Sequence, residues 1–551
     1  MPVGRQEWWR WIALGIVAVF TTLAVFDFLS FAIETDVAYG HDALMHVTGA
    51  FGIRQTHFNW FKILEWSSQS GQQDFHHAPL GYLVASLVMA TGCLRPLASI
   101  YAAKVLWLIL LVICLYDAGR RMGDGPWAGL AAVTFGGLSP IVLRAAREVS
   151  LEFPTMVAVA AGIWGYTLTR GFTRRGASVA AGILVGLGLL VKPTPIAFLA
   201  PFYLVAYAFP SDPKEAGRPG RGRNLFWCGF AAFTVAGFYY LPLLPRFLDA
   251  RYIGFSFGPG GLRAVLLIAG GEFLNYLFSP VQVGLLVGAL LVGLRRRDAF
   301  FVPLVVSAAA GLAFTCAISD FSLTYLYPFR VLFALAIARA VGLVAGRWRA
   351  PFALAMTALY LWPLAAPAAA ARLNGNHAAT RYLRWVYVQA DNRRQPLVLA
   401  PTPDGRVGVA SWEPLEGIGR LLATRYASFH CRDIGVLSPR KGALIVAALV
   451  AERPEQAITE RMELRTIPAL EGDEDPARRR GLTLRPLIVA LLPDPDLSPG
   501  AAGRAAIVRE IGATHRLDLS VRFHLAAVEG APPARVLFFV ANDRRPASEG
   551  P

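Results

Sequence analysis

The sequence predicts a polytopic α-helical membrane protein of about eleven transmembrane helices followed by a small C-terminal α/β domain. Three observations predict it. The 551-residue chain is 55% hydrophobic and only 16% charged, whereas soluble proteins carry roughly 25% charged residues. Apolar runs such as "WIALGIVAVFTTLAVFDFLSFAI" and "NLFWCGFAAFTVAGFYYLPLL" reach the roughly 20 residues that cross a hydrocarbon core about 30 Å thick. From about Leu373 onward the composition becomes that of a soluble module.

Taken in order, the first run follows Arg5 and Arg10. It is too long for a signal-peptide core and lacks a small-residue cleavage site, so it reads as a retained first span. Apolar runs then occupy approximately 97–117, 126–143, 153–170, 177–191, 194–210, 224–244, 279–294, 300–318, 325–345 and 350–370. One further run, in "DFHHAPLGYLVASLVMATG" over 74–92, is ambiguous.

The arginines decide its status. If this run does not cross and the N-terminus is cytoplasmic, the cytoplasmic turns hold Arg120 and Arg121; Arg170, Arg174 and Arg175; Lys214, Arg218, Arg221 and Arg223; Arg295, Arg296 and Arg297; and Arg347 and Arg349. If it crosses, every one of these cations moves outside, against the positive-inside tendency. A helix over 78–94 would also be only about 25 Å long, and it contains Pro79, Gly81 and Gly92. The expectation is a juxtamembrane helix at the outer interface, inside an outward loop spanning 34–96. A second outward loop covers 245–278. Residues 1–372 form the membrane module and 373–551 an exterior domain, with strands expected in "PLVLAP", "GALIVAALVA", "LTLRPLIVALLP" and "ARVLFFVAN" and helices in "HAATRYLRWVYVQAD" and "AAGRAAIVREIG".

This plan also accounts for the net charge of +16. The cations sit in short turns between apolar runs, so no nucleic-acid partner is expected. The five cysteines show neither metal spacing nor a disulfide framework.

Three ionisable clusters fall on the predicted outer side. "ETDVAYGHDALMH" carries Glu34, Asp36, His41, Asp42 and His46; "DFHHAP" carries Asp74, His76 and His77; "RAAREVSLEFP" carries Arg144, Arg147, Glu148 and Glu152. Each has a plain structural reading beside a functional one. Asp42 suits a helix cap, the histidines suit an interface, and Arg147 with Glu148 suits a local ion pair. Their shared side, in a chain with few other charges, favours one outer cavity. Within the spans, Asp27, Lys104, Arg330 and Arg339 are the main ionisable residues. Arg330 would lie about 9 Å below the outer end of a helix starting near Thr324, within reach of an anionic headgroup. Lys192, in the outward turn "VKPTP", could reach the same group or simply snorkel.

These residues resemble the GT-C superfamily of membrane glycosyltransferases, in particular its protein O-mannosyltransferase and lipid A aminoarabinose transferase branch. "GHDALMH" is similar to the family's first-loop acidic motif, "HHAPLGYLVASLVMATG" to its His-Pro-Pro-Leu stretch, and "SPIVLRAAREVSLEFPTMVAVAAGIWGY" to its second-loop segment. "ILVGLGLLVKPTPIAFLAP" resembles its Lys-Pro turn, and "YLYPFRVLFALA", which contains Tyr327, its later Tyr-Pro span. Ala78 departs from the family's first Pro, and neither Asp36 nor Asp42 has the acidic neighbour of many relatives.

The resemblance implies an inverting transfer of a sugar from a polyprenyl-phosphate carrier to a glycan, lipid or protein acceptor. It would occur on the periplasmic face of a bacterial inner membrane. Asp42 is the favoured general base and Asp36 the reserve. Arg147, Lys192, Arg330, His77 and His76 are candidates for holding the donor phosphate, with Glu148 and Tyr327 in support. Glu152 is a candidate for positioning the acceptor, pairing with an arginine or helping to hold Mg2+ or Mn2+. A transporter or flippase of lipid-linked saccharide is the rival from another class, but such proteins concentrate binding groups at the midplane of repeated, broken helices, and no repeat is visible. A non-catalytic scaffold with the same fold is the third reading.

Overall fold

The structure is a computed structural model. It describes residues 3–34, 37–39, 43–69, 78–210, 215, 217–247, 278–296, 298–317, 323–344, 346–374, 412–414, 434–437, 487–492, 523–529 and 535–541. The chain divides into two compact units, one of residues 1–32, 58–88 and 101–400, the other of residues 33–57, 89–100 and 401–551.

The first unit is a helical bundle. Its helices are α1 (Val3–Glu34, whose last residues enter the second unit), then, after the second unit's α2 (Ala43–Gln55), α3 (Trp60–Gln69), α4 (Leu80–Ala90) and α5 (Pro96–Met122), whose facing ends also enter the second unit, α6 (Pro126–Gly136), α7 (Pro140–Arg147), α8 (Glu152–Thr169), α9 (Arg175–Leu189) and α10 (Pro195–Ala208). They continue as α11 (Arg221–Phe247), α12 (Pro280–Arg295), α13 (Phe301–Ala317), a 3-10 turn (Leu323–Leu326), α14 (Pro328–Leu343), α15 (Gly346–Ala365) and α16 (Pro367–Asn374). Every predicted apolar run folds as helix. The stretches 7–33, 97–122 and 221–245 are each long and apolar enough to cross a membrane alone.

The run expected as one span over 126–143 is instead broken: α6 and α7 meet at a bend of 52°. Pro140 explains it, because the preceding residue is pushed out of the α region, and Ser139 is extended at φ −64 and ψ 148. The ambiguous run becomes α4, eleven residues long, hence about 16 Å and too short to cross. The Leu80 amide donates to the Leu190 carbonyl at 2.8 Å, and Ala78 packs with Leu190, Tyr239 and Leu243.

Burial separates the bundle's interior from its lipid-facing surface. α8 and α14 are buried along nearly their whole length, whereas Val19 and Phe26 of α1, Leu106 and Ile113 of α5, and Phe226, Phe230, Phe233 and Phe238 of α11 are exposed. Such a continuous apolar exterior is a membrane surface. Close packing without a hydrophobic driving force between helices relies on small residues. At Gly186 of α9 an added Cβ would lie 2.8 Å from the Ala232 carbonyl oxygen and 2.7 Å from Val235 Cβ. On the exposed surface of α11, Gly229 has no neighbour within 4 Å. The far ends of α8 and α11 are tied through Arg221, whose Nε donates to the Gly171 carbonyl at 2.7 Å and whose guanidinium also donates to the Tyr207 carbonyl at 2.7 Å.

In the second unit, β1 (Val37–Tyr39) pairs antiparallel with β2 (Trp412–Pro414), bringing the first loop to the C-terminal part. β3 (Ile434–Leu437), β4 (Leu487–Leu492), β5 (Phe523–Glu529) and β6 (Arg535–Ala541) form a mixed sheet in the order β3-β4-β6-β5. β3 and β4 are parallel, and β6 is antiparallel to both β4 and β5. The predicted strands in "LTLRPLIVALLP" and "ARVLFFVAN" are β4 and β6; "PLVLAP", "GALIVAALVA" and the two predicted helices lie outside the described residues.

Replacing Gly186 by Leu forces α9 away from α11 and should lower stability by about 1–3 kcal/mol. Gly229→Ala, in open space, should leave it unchanged or raise it by up to about 1 kcal/mol. Thermal unfolding of the detergent-purified protein checks the contrast, and equal midpoints for the two variants would refute this packing.

Candidate active site

The break between α6 and α7 creates the site. α6 ends at Gly136 and leaves carbonyls without helical partners. Arg330, fully buried in the first turn of α14, answers one of them and ties it to two side chains: one nitrogen donates to the Phe135 carbonyl and to Ser139 Oγ, each at 2.9 Å, and the other to Gln282 Oε1 of α12 at 2.8 Å. The aromatic rings of Phe278 and Phe333 lie 5.3 and 5.4 Å from its guanidinium carbon. Arg330 was expected to reach toward a headgroup; the donors seen here go to one backbone carbonyl and two side-chain oxygens within the bundle.

Braced in this way, α7 carries Arg147 to its end, the chain runs irregularly through Glu148 to Leu151, and α8 starts at Glu152. Arg147, Glu148 and Glu152 are all buried, as are Lys192 in the α9–α10 turn and Lys104 on α5; Arg144 is half-buried. Glu152 sits in the first turn of α8, where the helix dipole favours a carboxylate. Its Oε1 accepts from Lys192 Nζ, and the Lys192 ammonium stands 4.2 Å from the centre of the Tyr325 ring. The other carboxylate oxygen of Glu152 is buried with no hydrogen-bond partner among the described residues, as is Ser150 Oγ. Tyr327 donates its hydroxyl to Glu148 Oε1 at 3.4 Å. Lys104 donates to the Ser150 carbonyl, and the charges of Glu148 and Glu152 both act on it.

Arg147 turns toward α1. It donates to Asp27 Oδ2 at 2.5 Å and lies 4.6 Å from the centre of the Phe31 ring. Phe31 in turn packs edge-on against Tyr101, 5.1 Å away. Asp27 is 41% exposed at its side chain and Arg147 only 7%, so one partner of this pair stays accessible. Three cations, Lys104, Arg147 and Lys192, thus share one end of the bundle with three carboxylates, Asp27, Glu148 and Glu152. Burying so many charges is costly unless they are paired and functional.

The structure therefore gathers Arg147, Glu148, Glu152, Lys192 and Tyr327 of the predicted set. Asp36, Asp42, His76 and His77 lie outside the described residues; α2 begins at Ala43, directly after Asp42. Sequence reasoning noted Asp27 and Lys104 as charges within spans without joining them to the cluster. A lone carboxylate in an apolar span needs a cation, and that demand was the available signal. Among the described residues no three His, Cys, Asp or Glu side chains converge as a metal centre requires; Glu152 offers one oxygen of the kind Mg2+ or Mn2+ takes.

Residues 76–217, running from just before α4 to beyond α10 and including Arg147, Glu148, Glu152 and Lys192, match the family described as dolichyl-phosphate-mannose-protein mannosyltransferase. No curated protein is significantly similar to the chain in sequence. Among solved structures, ArnT from Cupriavidus metallidurans in the apo state is similar at a TM-score of 0.58 and 15% identity, over 96% of this chain and 98% of that one. The same protein bound to undecaprenyl phosphate gives a TM-score of 0.57 and 14% identity, over 97% and 99% of the two chains. The chain is a membrane protein with the fold of ArnT, and its segment 76–217 matches the mannosyltransferase family.

Proposed function

We propose that the protein is an inverting glycosyltransferase that moves a sugar from a polyprenyl-phosphate carrier to a glycan, lipid or protein acceptor. The reading extends to a bacterial inner membrane crossed eleven times, with the N-terminus cytoplasmic and both the site and residues 373–551 periplasmic. The observation that carries it is the buried Glu152–Lys192 pair, set in a cluster of charges at one end of an apolar bundle and lying in the segment that matches the mannosyltransferase family. A ligand with a lipid tail and a phosphate suits this arrangement, and ArnT of similar fold is a protein bound to undecaprenyl phosphate.

In the proposed reaction an acceptor hydroxyl attacks the anomeric carbon, the bond from that carbon to the phosphate oxygen breaks, and polyprenyl phosphate leaves. Asp42, with Asp36 as reserve, takes the acceptor's proton; such a base contributes about 10²–10⁴-fold. Charge grows on the departing phosphate, and Lys192 and Arg147 are the cations we assign to offset it. Both are already held by carboxylates, so they are fixed before the charge develops rather than reorganised by it. The unpartnered oxygen of Glu152 can accept a hydroxyl from the acceptor or the sugar. His76 and His77, preceding the anchored Ala78, are assigned to the donor phosphate.

The first test offers a panel of labelled polyprenyl-phosphate sugars and a membrane glycan extract to the lipid-supplemented protein. Wild type should transfer label, and folded Asp42→Asn should lose about 10²–10⁴-fold in rate. Full activity in that variant moves the base to Asp36 or Glu152, and failure of every donor with a competent acceptor present sinks the glycosyltransferase reading.

The second test concerns the ion pair. Lys192→Met leaves a buried carboxylate uncompensated and should cost about 3–5 kcal/mol, whereas pairing it with Glu152→Gln should recover much of that loss. Unfolding midpoints of the two single variants and the double variant measure it, and simple additivity would show that the two charges do not depend on each other.

A further inference from the structure

The opposite end of the bundle holds a second charged region that the proposed transfer does not use. Along α1, Arg10 precedes Asp27 by 17 residues, and along α5, Arg121 follows Lys104 by 17 residues, a separation of about 25 Å in each helix. There a cavity of about 800 Å³ opens between the start of α1, the α5–α6 turn and the start of α15. Five arginines line it, Arg10, Arg120, Arg121, Arg347 and Arg349, against the carboxylates Glu7 and Asp124. Arg120 and Arg121 share Asp117 at 2.6 Å each, and Arg349 caps the end of α14 through the Gly342 and Val344 carbonyls. Arg10 and Arg347 are exposed and have no hydrogen bond to protein among the described residues.

Backbone reinforces these cations. The N-terminus of α6 faces the cavity through Pro126, Trp127 and Ala128, and Gly125 gives that helix no side-chain cap. Pro126 has no N–H, so the amides of Trp127 and Ala128 and the positive end of the dipole are what this helix offers an anion. Trp9 and Trp127 pack 5.6 Å apart beside it, as aromatic residues do at the headgroup level.

Next to this cavity, and sharing Arg349 with it, lies a groove of about 510 Å³ between α12, α14 and α15. Its lining is apolar apart from that arginine and includes Gly284, Gly288, Val292, Ile337 and Val341. Neither Gly284 nor Gly288 has a neighbour within 4 Å of an added Cβ, so the two glycines open the groove without serving helix contact. An anionic pocket joined by one arginine to an apolar furrow has the chemistry of a phospholipid: phosphate in one, hydrocarbon chain in the other.

We propose that this paired cavity and groove is a binding site for an anionic glycerophospholipid, whose phosphate meets Arg10, Arg347 and the α6 amides and whose acyl chain lies along Gly284 and Gly288. In the orientation proposed above, the lipid belongs to the cytoplasmic leaflet. The site holds the start of α1, the α5–α6 turn and α15 together from outside the protein, at the end remote from the Glu152–Lys192 pair. A free anion would need the first cavity alone and would leave the groove empty, which is why a lipid is the occupant.

Native mass spectrometry of the full chain, titrated with phosphatidylglycerol, phosphatidylcholine or glycerol 3-phosphate, tests the site. Wild type should retain one phosphatidylglycerol in preference to phosphatidylcholine. Removing two surface cations by Arg10→Gln with Arg347→Gln should weaken phosphatidylglycerol about thirtyfold and erase the preference. Gly288→Leu fills the groove while improving helix propensity, so it should fold and yet lose the retained lipid. Equal retention of phosphatidylglycerol by wild type and both variants overturns the proposal. So does glycerol 3-phosphate binding as tightly as the lipid and ignoring Gly288→Leu, which marks a free-anion site. A dimer of wild type that Gly288→Leu dissolves also overturns it, by assigning the groove to a second copy.

Discussion

Arg330 is the constraint on which the site depends. An apolar segment that breaks inside a bundle exposes backbone carbonyls where water cannot reach them, and a buried guanidinium has enough donors to answer one of them while binding polar side chains of neighbouring elements. By bonding Phe135, Ser139 and Gln282 together, Arg330 links the end of α6, the break itself and α12. The break then sends α7 off at 52°, and the irregular residues 148–151 are held within protein. Without that detour, the segment would cross as one straight helix and Glu148 and Glu152 would have no interior position.

From this follows the distribution of charge. At one end, carboxylates and cations interlock in pairs: Asp27 with Arg147 and Glu152 with Lys192. At the other, arginines outnumber carboxylates and face outward, with Asp117, Asp298 and the α14 carbonyls claiming some of them. About 25 Å of nearly uncharged helix separates the two ends, close to the thickness of a hydrocarbon core. The balanced end offers fixed dipoles and one open carboxylate oxygen to a substrate that arrives carrying its own charge. The basic end offers an excess of positive potential, suited to anionic lipid headgroups.

Much of this was legible in the sequence. Length and composition of the apolar runs marked the long helices but not α2 or α3, and the arginine pattern with Pro79 and Gly81 marked 74–92 as too short and irregular to cross; α4 there is eleven residues long. The break at Pro140 was missed because hydropathy averages over the Gly-Gly-Leu-Ser-Pro sequence, although the proline itself signalled it. "REVSLE" and "VKPTP" were legible as polar turns on one side, but not their pairing, since through-space partners 40 residues apart leave no periodicity. The Arg147–Asp27 contact spans 120 residues, and Arg330 could be placed by depth but not by direction. In the second unit, β4 and β6 carry strong alternating or continuous apolar patterns, while β3, at four residues, is too short to stand out, and β5, which no predicted strand covered, pairs with β6.

The central claim is that the interlocked charges around Glu152 receive the phosphate of a polyprenyl-phosphate donor. Photo-crosslinking with a polyprenyl phosphate bearing a diazirine in its first isoprene unit, followed by peptide mapping, tests it most directly. Label concentrated on 147–152, 191–194 and 323–328, and competed away by unlabelled polyprenyl phosphate, is the predicted result. Label confined to the arginine cavity at the far end, around 120–128 and 346–350, would contradict the account.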